Sequence, residues 1–357
     1  MDAREVMRGH MRRLADYRRE ILSHPPLRHL FLELTLRCNE HCLHCGSRCG
    51  EGETPPELTL AQYRTLLDEV RDDFAGALPQ LNITGGEPLL RRDFFDIMAY
   101  ARSLGFRWGM TSNGLLIDTS AAHRLKECGM KTISVSLDGT EETHDRLRGR
   151  AGAFSGALRG LEALAAEGFQ HVQVTTVVNH VNIGQLPALF DLLRGMEVDS
   201  WRVIHIEPIG RAREHPELML TGAEYRQVLD YIREKRAQGY PVTYGCSHYL
   251  GLSYERQVRD WYFLCNAGIY TASVTASGDI VACLDIERRP ELTQGNVLRD
   301  RLRDIWEHRF EVFRSDLSDR SETCRQCDAC EFCHGGAHHS WDYDRNEQQV
   351  CFKGLLF

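Results

Sequence analysis

The chain has no run of about 18 apolar residues, the length a helix needs to cross a bilayer, so no membrane span is expected. It also lacks an export signal. Residues 1–23 are Arg-rich and helical in pattern, with Asp2, Glu5, Asp16 and Glu20 interleaved; there is no apolar h-region, and the acids speak against a transit peptide. A basic excess is missing too: 43 Lys and Arg face 51 Asp and Glu, and a net charge of −8 argues against a general nucleic-acid binder. Low-complexity tracts are absent, and 42% hydrophobic with 26% charged residues leaves no long disordered region to expect. Cysteine, in contrast, is plentiful. Thirteen of them in a chain without an export signal read as metal ligands before disulfides, and the expected compartment is cytoplasmic.

The 357 residues can form one large α/β domain and a smaller one. After a break at Pro25 and Pro26, short apolar or β-branched runs alternate with amphipathic stretches. Candidate strands are residues 30–36, 80–84, 107–111, 132–137, 171–178 and 202–207, and candidate helices are 60–74, 92–104, 121–128, 153–167, 185–193 and 224–239. This alternation predicts βαβ units and a parallel sheet. Six units are too few for an eight-fold barrel. Function should gather where the strands end, and the distinctive residues do fall there: Cys38 to Cys45, Gly85-Gly86-Glu87-Pro88, Thr111-Ser112-Asn113-Gly114, Ser136-Leu137-Asp138-Gly139 and Glu207-Pro208-Ile209-Gly210.

Cys38, Cys42 and Cys45 form a Cys-x3-Cys-x2-Cys run directly after the first strand. A [4Fe–4S] cube takes four ligands, so three thiolates leave one iron open. Cys49 lies near enough in sequence that a closed four-thiolate site, as in structural zinc centres, fits the spacing as well. The run resembles that of the radical S-adenosylmethionine (radical SAM) enzymes. That resemblance implies a partial (β/α)6 TIM-like barrel, with SAM on the open iron and Cys38, Cys42 and Cys45 as the catalytic cluster's ligands. Gly85, Gly86, Glu87 and Pro88 look like the motif that receives the SAM amino group, the glycines letting backbone approach a ligand closely. By the same resemblance Ser136 and Asp138 would bond ribose hydroxyls, and Arg148 would pair with the SAM carboxylate. Asn113, Asn179 and residues 206–210 are further candidate neighbours. His205 reads equally as a core histidine or a substrate contact.

The C-terminal third carries Cys265-x12-Gly278-x4-Cys283, then Cys324-x2-Cys327-x5-Cys333, and finally Cys351. This resembles the SPASM domain, which implies auxiliary iron–sulfur clusters. Cys324, Cys327, Cys333 and Cys351 would hold one of them, and Cys265 and Cys283 the other. The third cysteine expected for that second site would stand four residues after Cys333, where this chain has Ala337. An open iron, substitution by Cys330, His334, His338 or His339, or a smaller or absent cluster all fit; Cys330 is therefore also a candidate metal ligand. The organisation implied is a helical extension (1–27), the barrel (28–239), a linker (240–260) and a SPASM domain (261–357).

The resemblance implies an oxidoreductase that cleaves SAM to a 5′-deoxyadenosyl radical and takes a hydrogen atom from a peptide. The product would be a crosslinked or oxidised residue, as in maturases of ribosomally made peptides, with ferredoxin or flavodoxin as electron donor. Only about thirty residues precede the first strand, too few for a leader-binding winged helix, so a separate leader-binding protein or leaderless recognition is expected. One alternative is an anaerobic sulfatase-maturing enzyme, marked down because Leu284, not an Asp, follows Cys283, with Asp285 one step later. Another is a dehydrogenase or modifier of a small molecule or tetrapyrrole. A metal-binding protein without SAM chemistry would leave the Gly85 to Pro88 motif to coincidence.

Overall fold

The computed structural model describes residues 3–52 and 55–357. Its first helix, α1 (Ala3–Ser23), matches the helical reading of the N-terminus, with Met1 and Asp2 outside the described residues. Six βα units follow. The strands are β1 (His29–Glu33), β2 (Gln80–Thr84), β3 (Trp108–Ser112), β4 (Met130–Ser136), β5 (His171–Val178) and β6 (Ser200–His205). They pair in parallel in sequence order. The helices between them are α2 (Leu60–Asp73), α3 (Phe94–Ser103), α4 (Thr119–Glu127), α5 (Glu141–Arg148), α6 (Ala153–Glu167) and α7 (Leu186–Arg194), and α8 (Gly222–Ala237) follows β6. Local chemistry sets their starts. Thr59 and Gln62 form a reciprocal capping box at α2, Thr221 and Glu224 do the same at α8, and Asp118 caps α4.

Strand alternation sorts the two faces of the sheet. Leu30, Leu32, Leu81, Ile83, Trp108, Met110, Ile133, Val135, Val172, Val174 and Val203 point into the helix layer and join one buried core. The opposite face carries Asn82, Ser134, Ser136, Gln173, Thr175 and Arg202, so the barrel interior is polar. That face can hold a substrate rather than only fill a core.

Two differences from the six-unit expectation stand out. Residues 240–260, expected as a linker, contain β7 (Val242–Tyr244), which pairs in parallel with β6. This stretch is tightly packed: fully buried Arg259 donates to the carbonyls of Cys246 and His248 (both 2.7 Å) and pairs with Glu255 at 2.6 Å. At the other edge, β8 (Thr271–Val274) from the Cys-rich segment pairs in parallel with β1, and β9 (Asp279–Val281) and β10 (Gly295–Asn296) continue the sheet antiparallel. The C-terminal region thus shares the barrel's sheet. It also packs on α1, where Met11 meets Tyr249, Phe263, Ala329 and Phe332, and where Arg18 pairs with Asp316 at 2.8 Å.

Candidate active site

The Cys38–Cys45 loop is held by backbone bonds from the neighbouring strand ends. Gly86 N–H donates to Thr35 O (2.7 Å) and Glu87 N–H to Arg37 O (2.9 Å). His41 and Leu43 donate to Arg148 O and Leu147 O, and Arg211 N–H donates to Cys45 O. A Cβ on Gly86 would lie 2.1 Å from Arg37 O, and one on Gly85, whose φ is +150°, 2.3 Å from Thr35 O. The glycines thus make room for the chain segment that carries Cys38.

Burial pushes the Cys38 thiol up to about 11 and the Cys42 thiol up to about 12, and each is further raised by the charge of Cys45. Cys45 moves the other way, because the Cys49 thiol and backbone N–H donate to its sulfur. The three thiols of the run are thus near enough to feel one another. Dry thiols of this kind suit a metal that offsets their charge.

Around them the βα loops form a charged, buried cluster. Arg148 pairs with Asp138 at 2.6 Å and lies 3.7 Å from Cys42 Sγ and 3.6 Å from Glu40. His44 Nε2 is 3.1 Å from the same Asp138 oxygen, and Asp138 Oδ1 accepts from Val177 N–H at 2.8 Å. Burial opposes the Asp138 charge, yet Arg148 and His44 hold its carboxyl well below the usual range. His144, lowered to about 4 by burial and then by Arg148, accepts the Asp138 N–H on Nδ1 at 2.9 Å. Its proton therefore sits on Nε2.

The side chain of Glu87 joins two of the strand ends. It is fully buried and accepts from Leu89 N–H (3.2 Å), Ser112 Oγ–H (3.0 Å) and Asn113 N–H (2.9 Å). Those bonds tie the β2 loop to the end of β3, while burial raises the carboxyl to about 7. Asn113 reaches the Cys loop through a 2.6 Å bond to Asn39, Pro88 opens a buried 3-10 turn, and Ser136 ends β4 on the inner face. Among the described residues, four buried polar atoms here have neither a hydrogen-bond nor an ion-pair partner: Glu40 Oε1, His44 Nδ1, His144 Nε2 and Arg148 Nε. Unsatisfied donors and acceptors of both signs beside three thiols fit a zwitterionic ligand and a cluster. Glu40, His44 and Arg211 were not legible as site residues, since no motif marks them.

In the C-terminal region the cysteines fall into two groups. Cys324 is raised by burial and then by Cys351, Cys327 and Cys330, and Cys333 by burial and then by Cys351, Cys324 and Cys327, so these five lie together. Cys265 and Cys283 form the other group. Ala337 is fully buried. The histidines expected as substitutes are engaged: His338 bonds Tyr343 OH and Phe313 O, His334 faces Asp316, and His339 bonds Glu207.

The barrel interior supplies one more charged group. Arg202 Nε donates to Thr175 Oγ1 at 3.1 Å, burial lowers its guanidinium, and among the described residues no carboxylate lies in ion-pair distance of it. Cys246 and then Asp285 are the ionisable groups acting on it, and Asp285 sits 3.9 Å from Cys283 Sγ and faces Gly46 of the Cys loop. A cleft of about 240 Å³ opens there, between residues 46–48, Ile209 and Gly210, and residues 284–288.

Known proteins share both halves of this arrangement. The model of the radical SAM superfamily matches residues 32–193, and that of the SPASM iron–sulfur cluster-binding domain matches residues 265–331. Mycofactocin maturase MftC of Mycolicibacterium smegmatis is 31% identical over 310 residues, 85% of this chain and 76% of that protein. An AdoMet-dependent heme synthase of Methanosarcina barkeri is 30% identical over 316 residues, 84% of this chain and 87% of that protein. The Fe-coproporphyrin III synthase of the same organism is 36% identical over 213 residues, and that match spans 58% of this chain but only about half (52%) of the relative. Streptococcus suis SuiB bound to S-adenosylmethionine shares the fold, with a TM-score of 0.70 at 17% identity over 88% of this chain and 74% of SuiB. SAM, a [4Fe–4S] cluster and auxiliary iron–sulfur clusters are the cofactors of such an enzyme. With the polar barrel and the two cysteine regions on one sheet, the chain belongs to the radical SAM superfamily and carries a SPASM domain.

Proposed function

We propose that this enzyme removes a hydrogen atom from a residue of a peptide held in the barrel, giving a crosslinked or oxidised side chain. SAM and its cluster supply a 5′-deoxyadenosyl radical, and the auxiliary clusters supply an electron acceptor. Cys38, Cys42 and Cys45 would hold the first cluster, and Arg148, Glu40, His44 and His144 would surround the SAM methionine moiety. The observation that carries the substrate reading is Arg202, a half-buried cation on a polar inner face with no acid in ion-pair distance among the described residues. An unpaired guanidinium there fits a substrate carboxylate, with Ser134, Gln173 and Thr175 as partners for amide groups. Asp285 lies between Cys283 and the Cys loop, where it would take the proton released when the substrate radical is oxidised. The similarity to mycofactocin maturases across most of both chains supports a peptide. A ferredoxin or flavodoxin donor and a separate leader-binding protein belong to the same proposal.

A second reading has its own support. Heme synthases of similar identity and coverage act on tetrapyrroles, whose propionates are carboxylates that Arg202 would also receive. The two part in one experiment. The reconstituted enzyme is given SAM, a strong reductant, and either a precursor peptide encoded beside its gene or iron coproporphyrin. A mass change in the peptide, matched by 5′-deoxyadenosine, supports the maturase; turnover of the porphyrin alone overturns it.

A further inference from the structure

Beyond the cysteines, four side chains from three parts of the chain meet at one buried point. His205 ends β6, and Glu207 follows two residues later. His248 lies in the segment after β7, and His339 in the turn His338–Ser340 of the Cys-rich region. The ligand atoms of His205, Glu207 and His248 all lie within 4.8 Å of one another. His339 Nε2 and His248 Nε2 are 2.8 and 2.9 Å from Glu207 Oε1, and His205 Nε2 is 3.6 Å from it. His205, Glu207 and His248 are each more than nine-tenths buried.

An ordinary buried ion pair does not account for this arrangement. Three imidazoles converge on one carboxylate oxygen, while Glu207 Oε2 and His205 Nε2 are buried with no hydrogen-bond partner among the described residues. A hydrogen-bonded network would spread its donors over both oxygens, since a buried unsatisfied group costs about 1–3 kcal/mol. A metal ion satisfies His205, Glu207 and His248 at once. In a tetrahedral site with bonds of about 2.0–2.1 Å, donor atoms stand about 3.3 Å apart, and His248 and His205 stand 2.9 and 3.6 Å from the Glu207 oxygen, on either side of that edge.

The surroundings are those of a supported site. Tyr244 OH is 2.7 Å from His205 Nδ1, which orients the ring so that Nε2 faces inward. Arg259 holds the His248 carbonyl at 2.7 Å. Phe352 packs edge-on against both His205 and His248, closing one side with an apolar wall.

We propose that His205, Glu207 and His248 bind one divalent ion of the zinc class, with His339 holding the Glu207 carboxylate in place from the Cys-rich segment. Two imidazoles and one carboxylate, without thiolate, suit zinc over magnesium or calcium, which take oxygen ligands. Three protein ligands leave a fourth position for water or a further group. Through His339 the ion couples the Cys-rich segment to the end of β6.

The test uses the reconstituted, cluster-loaded enzyme, incubated with zinc and desalted over a chelating resin. The wild type should retain about one zinc per chain. Glu207→Gln, His248→Ala and His339→Gln should each lower that content by about tenfold while iron per chain stays unchanged. Iron content reports folding, and His339→Gln, at the least buried of the four residues, is the variant expected to keep it. The zinc absorption edge should show only nitrogen and oxygen neighbours. Equal zinc in wild type and in the iron-replete variants, or sulfur around the zinc, would overturn the proposal.

Discussion

The Arg148 guanidinium closes a 2.6 Å ion pair on Asp138 directly beside Cys42. The pair is dry, and Arg148 is the strongest influence holding the Asp138 carboxyl down against its burial. Arg148→Ala leaves that charge to His44 and the Val177 N–H alone, and a broken buried pair costs up to about 3–5 kcal/mol. The urea midpoint of the cluster-free chain should fall accordingly, and 5′-deoxyadenosine formation should vanish from the reconstituted enzyme. Lys in its place restores a charge but not the fork, so it should recover stability more than activity. An unchanged midpoint in the Ala variant would remove Arg148 from the site's framework.

Glu87 gives a pH signature of the opposite sign. Its folded carboxyl is raised to about 7 by burial, above its ordinary unfolded value. The stability it contributes is complete below about pH 4.5 and is lost as pH rises through about 7, because the folded state must then hold a buried anion. A shift of that size corresponds to about 3 kcal/mol. Urea unfolding of the cluster-free chain from pH 5 to 8 should show a decline that flattens in Glu87→Gln. The same slope in both would locate the pH dependence elsewhere.

Gly86→Ala places a Cβ where Arg37 O stands, 2.1 Å away. The backbone carrying Cys38 must move. Iron analysis should show a loss of about four irons per chain, with the C-terminal clusters retained. Full iron content with full SAM cleavage would show that the loop accommodates the methyl group.

Arg202→Gln tests the substrate anchor. Hydrogen bonds to a charged group are worth about 1.5–3 kcal/mol, so KM for the substrate should rise by about 10- to 150-fold. SAM cleavage without substrate should persist, since Arg202 donates to Thr175 on β5 and, among the described residues, makes no hydrogen bond or ion pair with the cysteine loop. Loss of both together would mean that the residue supports the barrel rather than the substrate.

The barrel strands and the cysteine loop were readable because pattern and motif coincide there. β2 and β5 fall on the expected residues, and α6 does as well. What stayed hidden is set by partners distant in sequence. Val242–Tyr244 and Thr271–Val274 are too short to announce themselves, and they are strands because β6 and β1 offer edges. α5 (Glu141–Arg148) is almost wholly polar and shows no clear apolar stripe, although His144, Leu147 and Arg148 are its buried residues. The Glu207 cluster draws histidines from residues 205, 248 and 339, a separation that no local spacing rule spans. Arg202 reads in sequence as one charge in a strand, and only the sheet's inner face gives it meaning.

The pairing of β8 with β1 also constrains how the protein is made. β1 precedes the radical SAM cysteines, yet its second edge is covered only by Thr271–Val274. During synthesis that edge stays open until three-quarters of the chain has left the ribosome, an exposed template for wrong strand pairing. A chain truncated before Thr271 keeps all three cysteines of the first cluster but loses the strand that covers their anchor, and it should aggregate rather than yield a smaller working enzyme.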